Sequence, residues 1–264
     1  MAVQSSIEPV YYLLPLVGLI IGLFGSMLGG GGGFFFLPVL TLGFGVPAHV
    51  AVITSLVATL PICLVGSWGH YRKSNIDFRV ARVFAFSGVA GAFAGAAVTR
   101  LVSSETLKAG FGLYSFLIGL NIAIGTWKSR KKEEGGQNPL IRSHSMTTRG
   151  SLYGVAAGMI TGTFGTSGTA PVLAGLFSMH LPLKMVIGTS MLVVLVNSLF
   201  AVGAHLLIGQ IDFILVAFLT AGSAIGAFAG PILLSGAKTD HSENKIRYIY
   251  AVVMALLGIF MIIK

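Results

Sequence analysis

Long apolar stretches alternate with short polar segments along the chain. A helix needs about 20 apolar residues to cross the hydrocarbon core of a bilayer. Two pieces, 34–44 and 169–179, are too short for this and can cross only part of the core. The pattern therefore predicts an all-α polytopic membrane protein, with long spans at 10–28, 48–70, 80–101, 107–127, 151–163, 183–208, 213–235 and 246–263.

Composition agrees with this class of protein. Hydrophobic residues make up 55% of the 264 and charged residues only 9%, against about 25% charged in soluble domains. The net charge of +9 does not indicate nucleic-acid binding, because the basic residues lie in the short segments between spans. The single cysteine, Cys63, lies in an apolar span and excludes an intrachain disulfide. The first residues lack a basic n-region, so we expect no cleaved signal peptide.

One segment interrupts the apolar pattern, Gly29–Pro38, with the sequence GGGGGFFFLP. Each glycine disfavours a helix by roughly 1 kcal/mol relative to alanine, so the run predicts a broken helix. Irregular backbone at membrane depth is tolerated only where protein buries it or where it lines a cavity. Free N–H groups beside a helix N-terminus suit an anion. The alternative is close helix packing through small residues, as in GxxxG contacts.

The two halves of the chain match each other. The matched pairs keep their order: LPVL at 37–40 with APVL at 170–173, Thr54-Ser55 with Thr189-Ser190, His70 with His205, NIDF at 75–78 with QIDF at 210–213, and GAFAG at 91–95 with GAFAG at 226–230. The sequence predicts two transmembrane repeats, 1–127 and 150–264, each with four long helices and one short discontinuous helix after a glycine-rich break. The basic linker between them, 128–149, is predicted to be cytoplasmic.

The relative direction of the repeats depends on the short pieces. If each piece is re-entrant, a half has four crossings and the repeats are parallel; if each completes a crossing, the repeats are inverted. The inverted scheme places more Lys and Arg residues on the cytoplasmic side. Paired broken helices in two halves are also typical of transporter binding sites. We therefore predict inverted repeats, with parallel repeats as the alternative.

The chain resembles the sulfite exporter TauE/SafE family of membrane transporters. The resemblance rests on GGGGGFFFLPVL, on AVITSLVATLPICLVGSWGHYRKSNIDFR and GVAGAFAG, and on a second copy containing TFGTSGTAPVL, GTSMLVV and HLLIGQIDF. It implies a secondary transporter in the cytoplasmic membrane of a prokaryote that moves sulfite, thiosulfate or organosulfonates, with proton coupling. One departure is the second glycine cluster, which here is reduced to 165–169 with the sequence GTSGT.

A small oxyanion needs donors that replace its water. Backbone N–H groups at the two breaks and hydroxyls in the neighbouring spans supply them without a fixed charge. The candidate substrate-binding residues are Gly31, Gly32, Gly33, Thr54, Ser55, Gly165, Thr166, Ser167, Gly168, Thr189 and Ser190. For any single Ser or Thr, the alternative is a bond to the carbonyl four residues earlier in its own helix. Pro38 and Pro171 are predicted to break the helices.

His70 and His205 end the same span in each half. Ionisable residues in membrane spans are candidate functional residues, and histidine titrates near neutral pH. Both are therefore predicted to serve in proton coupling or gating. The alternative is an interfacial histidine stabilised by the helix dipole. Asp77 and Asp212 are predicted to cap the helices that follow them.

Two further classes of function remain as alternatives. A passive anion channel would share the fold but lack coupled proton movement. An intramembrane enzyme or electron-transfer subunit would need a catalytic dyad, an HExxH motif or paired histidine ligands deep in spans, and the sequence contains none of these. We expect a sulfur anion, protons and the lipid bilayer as partners, and no nucleic acid, cofactor or metal. Exposed faces of small residues would allow a homodimer.

Overall fold

The computed structural model describes residues 9–28, 31–130, 145–179, 181–208, 211–234 and 243–263. The prediction of an all-α protein is confirmed. A 3-10 turn, Pro9–Leu13, precedes the first helix, and a π-helical turn, Val39–Gly43, follows the second. The α-helices of these ranges are α1 (Leu14–Leu28), α2 (Gly33–Pro38), α3 (Ala48–Arg72), α4 (Phe78–Leu101), α5 (Ser104–Arg130), α6 (Ser145–Phe164), α7 (Thr169–Ser178), α8 (Leu183–Ile208), α9 (Phe213–Leu234) and α10 (Glu243–Ile263).

Within the described ranges, five helices are long and apolar enough to cross a membrane by length and composition: α3, α4, α5, α8 and α9. The helices α2 and α7 are short, as predicted for the two discontinuous pieces. Helix α5 continues to Arg130 and α6 begins at Ser145, so both extend into the segment 128–149 that the sequence predicts as a linker. The rest of that segment lies outside the described residues.

Aspartates begin two of the long helices. The side chain of Asp77 accepts hydrogen bonds from the N–H groups of Arg79 and Val80, at 2.9 and 3.1 Å. The side chain of Asp212 accepts from the N–H groups two and three residues later, at 3.0 and 3.2 Å. Each N-cap stabilises its helix by about 1 kcal/mol. The predicted capping roles are confirmed.

The helices of the two halves pack against each other in equivalent pairs. Helix α4 packs on α6, and its counterpart α9 packs on α1, the counterpart of α6. Glycines allow the close approach: Gly91 of α4 lies against the carbonyl oxygen of Val155, and Gly226 of α9 lies against that of Leu19. Close contact between small residues is the usual way in which helices associate in membranes, where apolar burial does not drive them together.

Counterpart helices that contact each other run antiparallel. Gly112 of α5 lies against Gly258 of α10, and Gly119, two turns later, lies against Ala251. Residue numbers therefore rise along α5 as they fall along α10. Helices α3 and α8 show the same relation, with Gly66 against Met191 and Gly188 against His70. Inverted repeats require antiparallel counterparts, whereas parallel repeats require counterparts that run in the same direction.

Candidate functional site

The first break separates α1 from α2. Gly31 and Gly32 both have φ of +67°, a left-handed conformation that glycine adopts without steric penalty. Gly32 is the N-cap of α2 and has no side chain to satisfy the first N–H groups of that helix. Gly29 and Gly30 lie outside the described residues. The predicted break is therefore present at Gly31 and Gly32, the part of the glycine run before α2 that the structure describes.

The second break separates α6 from α7. Gly165 and Gly168 have φ of +65° and +53°, and Gly168 is the N-cap of α7 without a side-chain hydrogen bond. Between them, Thr166 and Ser167 are fully buried. The hydroxyl of Thr169 donates to the Ser167 hydroxyl at 2.6 Å. The second break thus combines three hydroxyl groups with the N-terminus of α7, a helix of ten residues.

The two breaks are in direct contact. A Cβ added at Gly33 would lie 2.7 Å from the backbone nitrogen of Ser167 and 3.1 Å from Oγ1 of Thr59. A Cβ at Gly31 would lie 2.8 Å from Sγ of Cys63 and 3.4 Å from Cβ of Ser167. Only glycine leaves room for this approach. Residues that lie far apart in sequence therefore form one site.

Helix α3 runs along both breaks. Gly165 lies against the backbone of Val52, and Gly33 lies near the hydroxyl of Thr59. Ser55 lies three residues after Val52 and four before Thr59, a spacing that places the three on one helix face. Ser55 therefore faces the breaks.

Two buried hydroxyls at this site have no hydrogen-bond partner among the described residues. They are Oγ of Ser55 and Oγ1 of Thr166, and both side chains are fully buried. Leaving a buried hydroxyl unpaired costs about 1–3 kcal/mol. A ligand or an ordered water at this place would supply the missing partner.

The other predicted hydroxyls already have partners. Thr54 donates to the carbonyl of Val50, four residues earlier, at 2.9 Å, and Ser190 donates to that of Ile187. Thr189 accepts from the backbone N–H of Asp77 at 3.0 Å. For Thr54 and Ser190 the structure matches the alternative weighed for the sequence, a bond within the helix itself. Of the two Thr-Ser pairs, only Ser55 is left without a partner.

Pro38 and Pro171 lie in helices, and the left-handed residues of the two breaks are glycines. Pro171 lies in the first turn of α7, where its missing N–H removes no helical hydrogen bond. Pro38 ends α2, but the following residue keeps helical angles and the chain continues into the π-helical turn. Both interruptions fall at left-handed glycines.

The two histidines occupy different environments. Nε2 of His205 lies 2.7 Å from the carbonyl oxygen of Gly162, close to the end of α6. A carbonyl only accepts, so this nitrogen carries a proton. The hydroxyl of Thr99 also lies within reach of that carbonyl, at 3.2 Å. Nδ1 of His70 is buried and has no partner among the described residues. Neither imidazole is among the atoms nearest to the glycines of the breaks.

An aromatic cluster that the sequence pattern does not predict lies beside the site. The ring of Tyr114 in α5 stacks between Phe34 and Phe164, with centroid distances of 5.7 and 5.8 Å. Phe111 contacts both phenylalanines from a second direction. Phe34 directly follows the first break and Phe164 directly precedes the second. The sequence does show aromatic residues next to both breaks, which could have predicted a cluster there. No sequence feature of α5, however, distinguishes Tyr114.

The profile of the family described as sulfite exporter TauE/SafE matches residues 14–261. The chain belongs to this family. It is similar to several curated proteins that are named only as probable membrane transporter proteins. In each case the similarity covers most of the relative's length. The protein named probable membrane transporter protein YdhB of Bacillus subtilis is 30% identical over 83% of this chain and 88% of its own.

More distant TauE/SafE relatives come from other prokaryotes. A probable membrane transporter protein of Xylella fastidiosa is 26% identical over 94% of this chain and 91% of its own length. The probable membrane transporter protein MJ0441 of Methanocaldococcus jannaschii is 26% identical over 95% of each chain. No solved structure matches the chain.

Proposed function

We propose that this TauE/SafE protein is a secondary active transporter that exports small sulfur-containing anions across the cytoplasmic membrane of a prokaryote. The candidate substrates are sulfite, thiosulfate and organosulfonates such as sulfoacetate. Family membership and the names of the relatives support a membrane transporter and favour it over an intramembrane enzyme. The proposed binding site rests on one observation. The two breaks are in contact, and buried hydroxyls beside this contact lack hydrogen-bond partners among the described residues.

The chemistry of this site suits an anion. Its polar groups include the hydroxyls of Ser55 and Thr166 and the N-terminus of α7, whose N-cap Gly168 makes no side-chain hydrogen bond. A helix N-terminus carries about half a positive charge, which favours a negative ligand. Neutral donors also allow release, because no permanent counter-charge holds the anion after the site opens.

The packing of the breaks supports alternating access over a permanently open channel. Gly33 and Ser167 are buried and in contact, so an anion cannot pass between them until the two halves move apart. The antiparallel relation of α5 to α10 and of α3 to α8 fits an inverted repeat. Rocking of inverted repeats around a central site is a common transport mechanism.

Proton coupling is the next part of the proposal. His205 holds the end of α6 through the carbonyl of Gly162, three residues before Gly165. A change in its protonation would alter the position of the second break. His70 lies at the opposite end of the antiparallel pair formed by α3 and α8 and serves the other side of the membrane.

Flux into proteoliposomes tests the transport and its coupling separately. We expect labelled sulfite or sulfoacetate to accumulate when a pH gradient is imposed and to stop accumulating when an uncoupler collapses it. If the flux does not depend on the pH gradient, proton coupling is refuted and a passive channel is favoured. Absence of flux for every sulfur anion removes the transporter proposal for this substrate class.

Two adjacent residues give a matched test of the site. Ser55→Ala removes an unpartnered hydroxyl, whereas Thr54→Val removes a hydroxyl already bonded to its own helix. We expect Ser55→Ala to raise the KM for the anion by roughly 10–150-fold, the equivalent of one hydrogen bond to a charged group. Thr54→Val should change it by less than about twofold. Equal effects would contradict the placement of the anion at Ser55.

The single cysteine provides a built-in reporter of access. Cys63 is fully buried and in contact with Gly31 of the first break. If the breaks separate during transport, N-ethylmaleimide should alkylate Cys63 in the folded protein, and a saturating non-reactive sulfonate should slow the labelling. The variant Cys63→Ser controls for reaction elsewhere. Labelling that occurs only on unfolding would argue against separation of the breaks.

A further inference from the structure

An exposed cluster of aromatic rings lies where α3 ends and α4 begins, beyond the residues of α3 that contact the breaks. The ring of Tyr71 lies next to the rings of Trp68 and Phe78, with centroid distances of 6.4 and 5.9 Å. Trp68 is 62% exposed, Tyr71 56% and Phe78 48%. The contact of Tyr71 with Phe78 joins the last turn of α3 to the first turn of α4. The three rings therefore form one exposed surface.

Four cationic side chains accompany these rings. They are Arg72, Lys73, Arg79 and Arg82, and all four are exposed. Arg72 lies four residues after Trp68, so helix periodicity places it on the same face as that ring. Nε of Arg82 donates to the carbonyl oxygen of Phe78 at 3.2 Å, which holds this side chain over the first turn of α4. Residues 68–82 are called the basic–aromatic segment below.

No carboxylate of the described residues forms an ion pair with these cations. The one acid of the basic–aromatic segment is Asp77, whose carboxylate caps α4. The one ion pair that the described ranges contain joins Lys108 to Glu105 in α5. Clustered positive charges without acidic partners create a field that attracts anions from outside the protein. No described acid therefore competes with an anionic ligand for these four charges.

The internal repeat shows that the fold does not require these side chains. In the register that pairs NIDF with QIDF, the second half also ends one helix, α8, and begins the next, α9, after a capping aspartate. Gly203 and Leu206 stand there at the positions of Trp68 and Tyr71. Uncharged residues stand at all four cationic positions: Leu207, Ile208, Ile214 and Ala217. The basic–aromatic character is thus confined to one copy, which indicates a role other than folding.

The position of the segment fits the headgroup layer of a bilayer. Helices α3 and α4 are two of the candidate membrane spans and the segment joins them, so it lies where the chain leaves the hydrocarbon core. Tryptophan and tyrosine rings are enriched at this depth, and arginine and lysine side chains extend from it towards the phosphates. Clusters of about four to eight cations beside a span are typical of anionic-lipid binding.

We propose that the basic–aromatic segment is a binding site for an anionic phospholipid. The cations hold the headgroup phosphate, and the glycerol backbone with the first acyl carbons lies against Trp68 and Tyr71. This site is separate from the breaks and does not depend on the proposed transport function. Cations in this segment also favour a cytoplasmic location, but orientation alone needs neither the exposed rings nor a preference among lipids.

Trp68 provides a local reporter of the bound lipid. The chain has two tryptophans, so Trp127→Phe leaves Trp68 as the only one. The full-length variant is placed in phosphatidylcholine nanodiscs with increasing fractions of dibrominated phosphatidylglycerol, whose bromine atoms quench indole fluorescence on contact. Dibrominated phosphatidylcholine gives the non-selective reference. We expect phosphatidylglycerol to bind beside Trp68 at least about fivefold more strongly, the effect of one cation at an anionic surface. Equal quenching by the two lipids would overturn the proposal.

Paired charge variants test whether the cations cause this preference. Arg72→Gln with Arg79→Gln should lower the relative binding constant of phosphatidylglycerol by about fivefold or more, whereas Arg72→Lys with Arg79→Lys should retain it because the charge is kept. Arg100→Gln is the matched control, since it removes an exposed cation at the opposite end of α4. Helical circular dichroism verifies that each variant is folded. A preference that survives the glutamine pair, or that Arg100→Gln removes equally, would refute the assignment.

A soluble competitor separates a membrane lipid from a free phosphate. An excess of glycerol phosphate over the lipid should leave the quenching unchanged, because it has no acyl chains to place in the bilayer beside the rings. Displacement of the lipid by this competitor would assign the segment to a soluble phosphate and overturn the lipid proposal. Higher ionic strength should reduce the preference for phosphatidylglycerol, since exposed charges are screened by salt. A preference that salt does not change would contradict binding through the cations.

Discussion

The closest approach of the two breaks can be tested with one methyl group. Gly33 begins α2 and does not have a positive φ, so alanine is not strained there by its backbone. Its Cβ would nevertheless lie 2.7 Å from the backbone nitrogen of Ser167. Ordinary contacts of a Cβ begin near 3.4 Å, so one break must move by about 0.7 Å. Gly33→Ala therefore pushes the breaks apart.

The magnitude follows from the nature of the obstacle. Overpacking against a rigid neighbour typically costs about 1–3 kcal/mol, and the alanine recovers at most about 1 kcal/mol of helix propensity. We expect a net loss of about 1–2 kcal/mol, which lowers the Tm by about 2–8 °C for a chain of this size. Transport should slow as well, because the breaks no longer close on the anion.

Thermal unfolding can be followed by the loss of the helical circular dichroism signal, because most of the described residues lie in α-helices. Gly203→Ala is the matched control, since nothing lies within 4 Å of its added Cβ. Gly66→Ala should fall between the two, because it meets only the flexible side chain of Met191, at 2.6 Å from Sδ. If Gly33→Ala unfolds at or above the temperature of Gly203→Ala, the breaks are not packed as described.

Substitutions at three other positions test the supports of the site, each read by the same unfolding assay. Ser74 lies two residues after the end of α3 and has φ of 55°. Ser74→Gly should therefore stabilise the protein by about 1 kcal/mol, and an unchanged or lower Tm would contradict this strain. Thr99→Val removes the hydroxyl that reaches the carbonyls of Gly162 and Thr163 and should cost about 1 kcal/mol; no loss would mean that this contact does not hold α6. Asp212→Ala should cost about 1 kcal/mol and Asp212→Asn only a few tenths, and similar losses would argue against capping.

Local physics made much of the architecture predictable. The long spans follow from runs of apolar residues that must satisfy every backbone hydrogen bond inside the bilayer, and only helices do this within one segment. The described breaks fall at glycines because left-handed backbone excludes most other residues. Asp77 and Asp212 cap helices because their carboxylates reach N–H groups two and three residues away. None of these features requires a partner from elsewhere in the chain.

The identity of the site residues required the tertiary structure. Thr54 and Ser55 are neighbours with the same chemistry in sequence, but only Ser55 lies on the α3 face that meets the breaks without a hydrogen-bond partner. Pro38 and Pro171 lie in α2 and α7, whereas the left-handed residues of the breaks are glycines.

Tyr114 carried no signal of its own until α5 placed it between Phe34 and Phe164. Sequence alone determined the helices and their breaks because those depend on residues a few positions apart. Which groups meet at the breaks depends on packing between distant segments, and only the folded chain decides that.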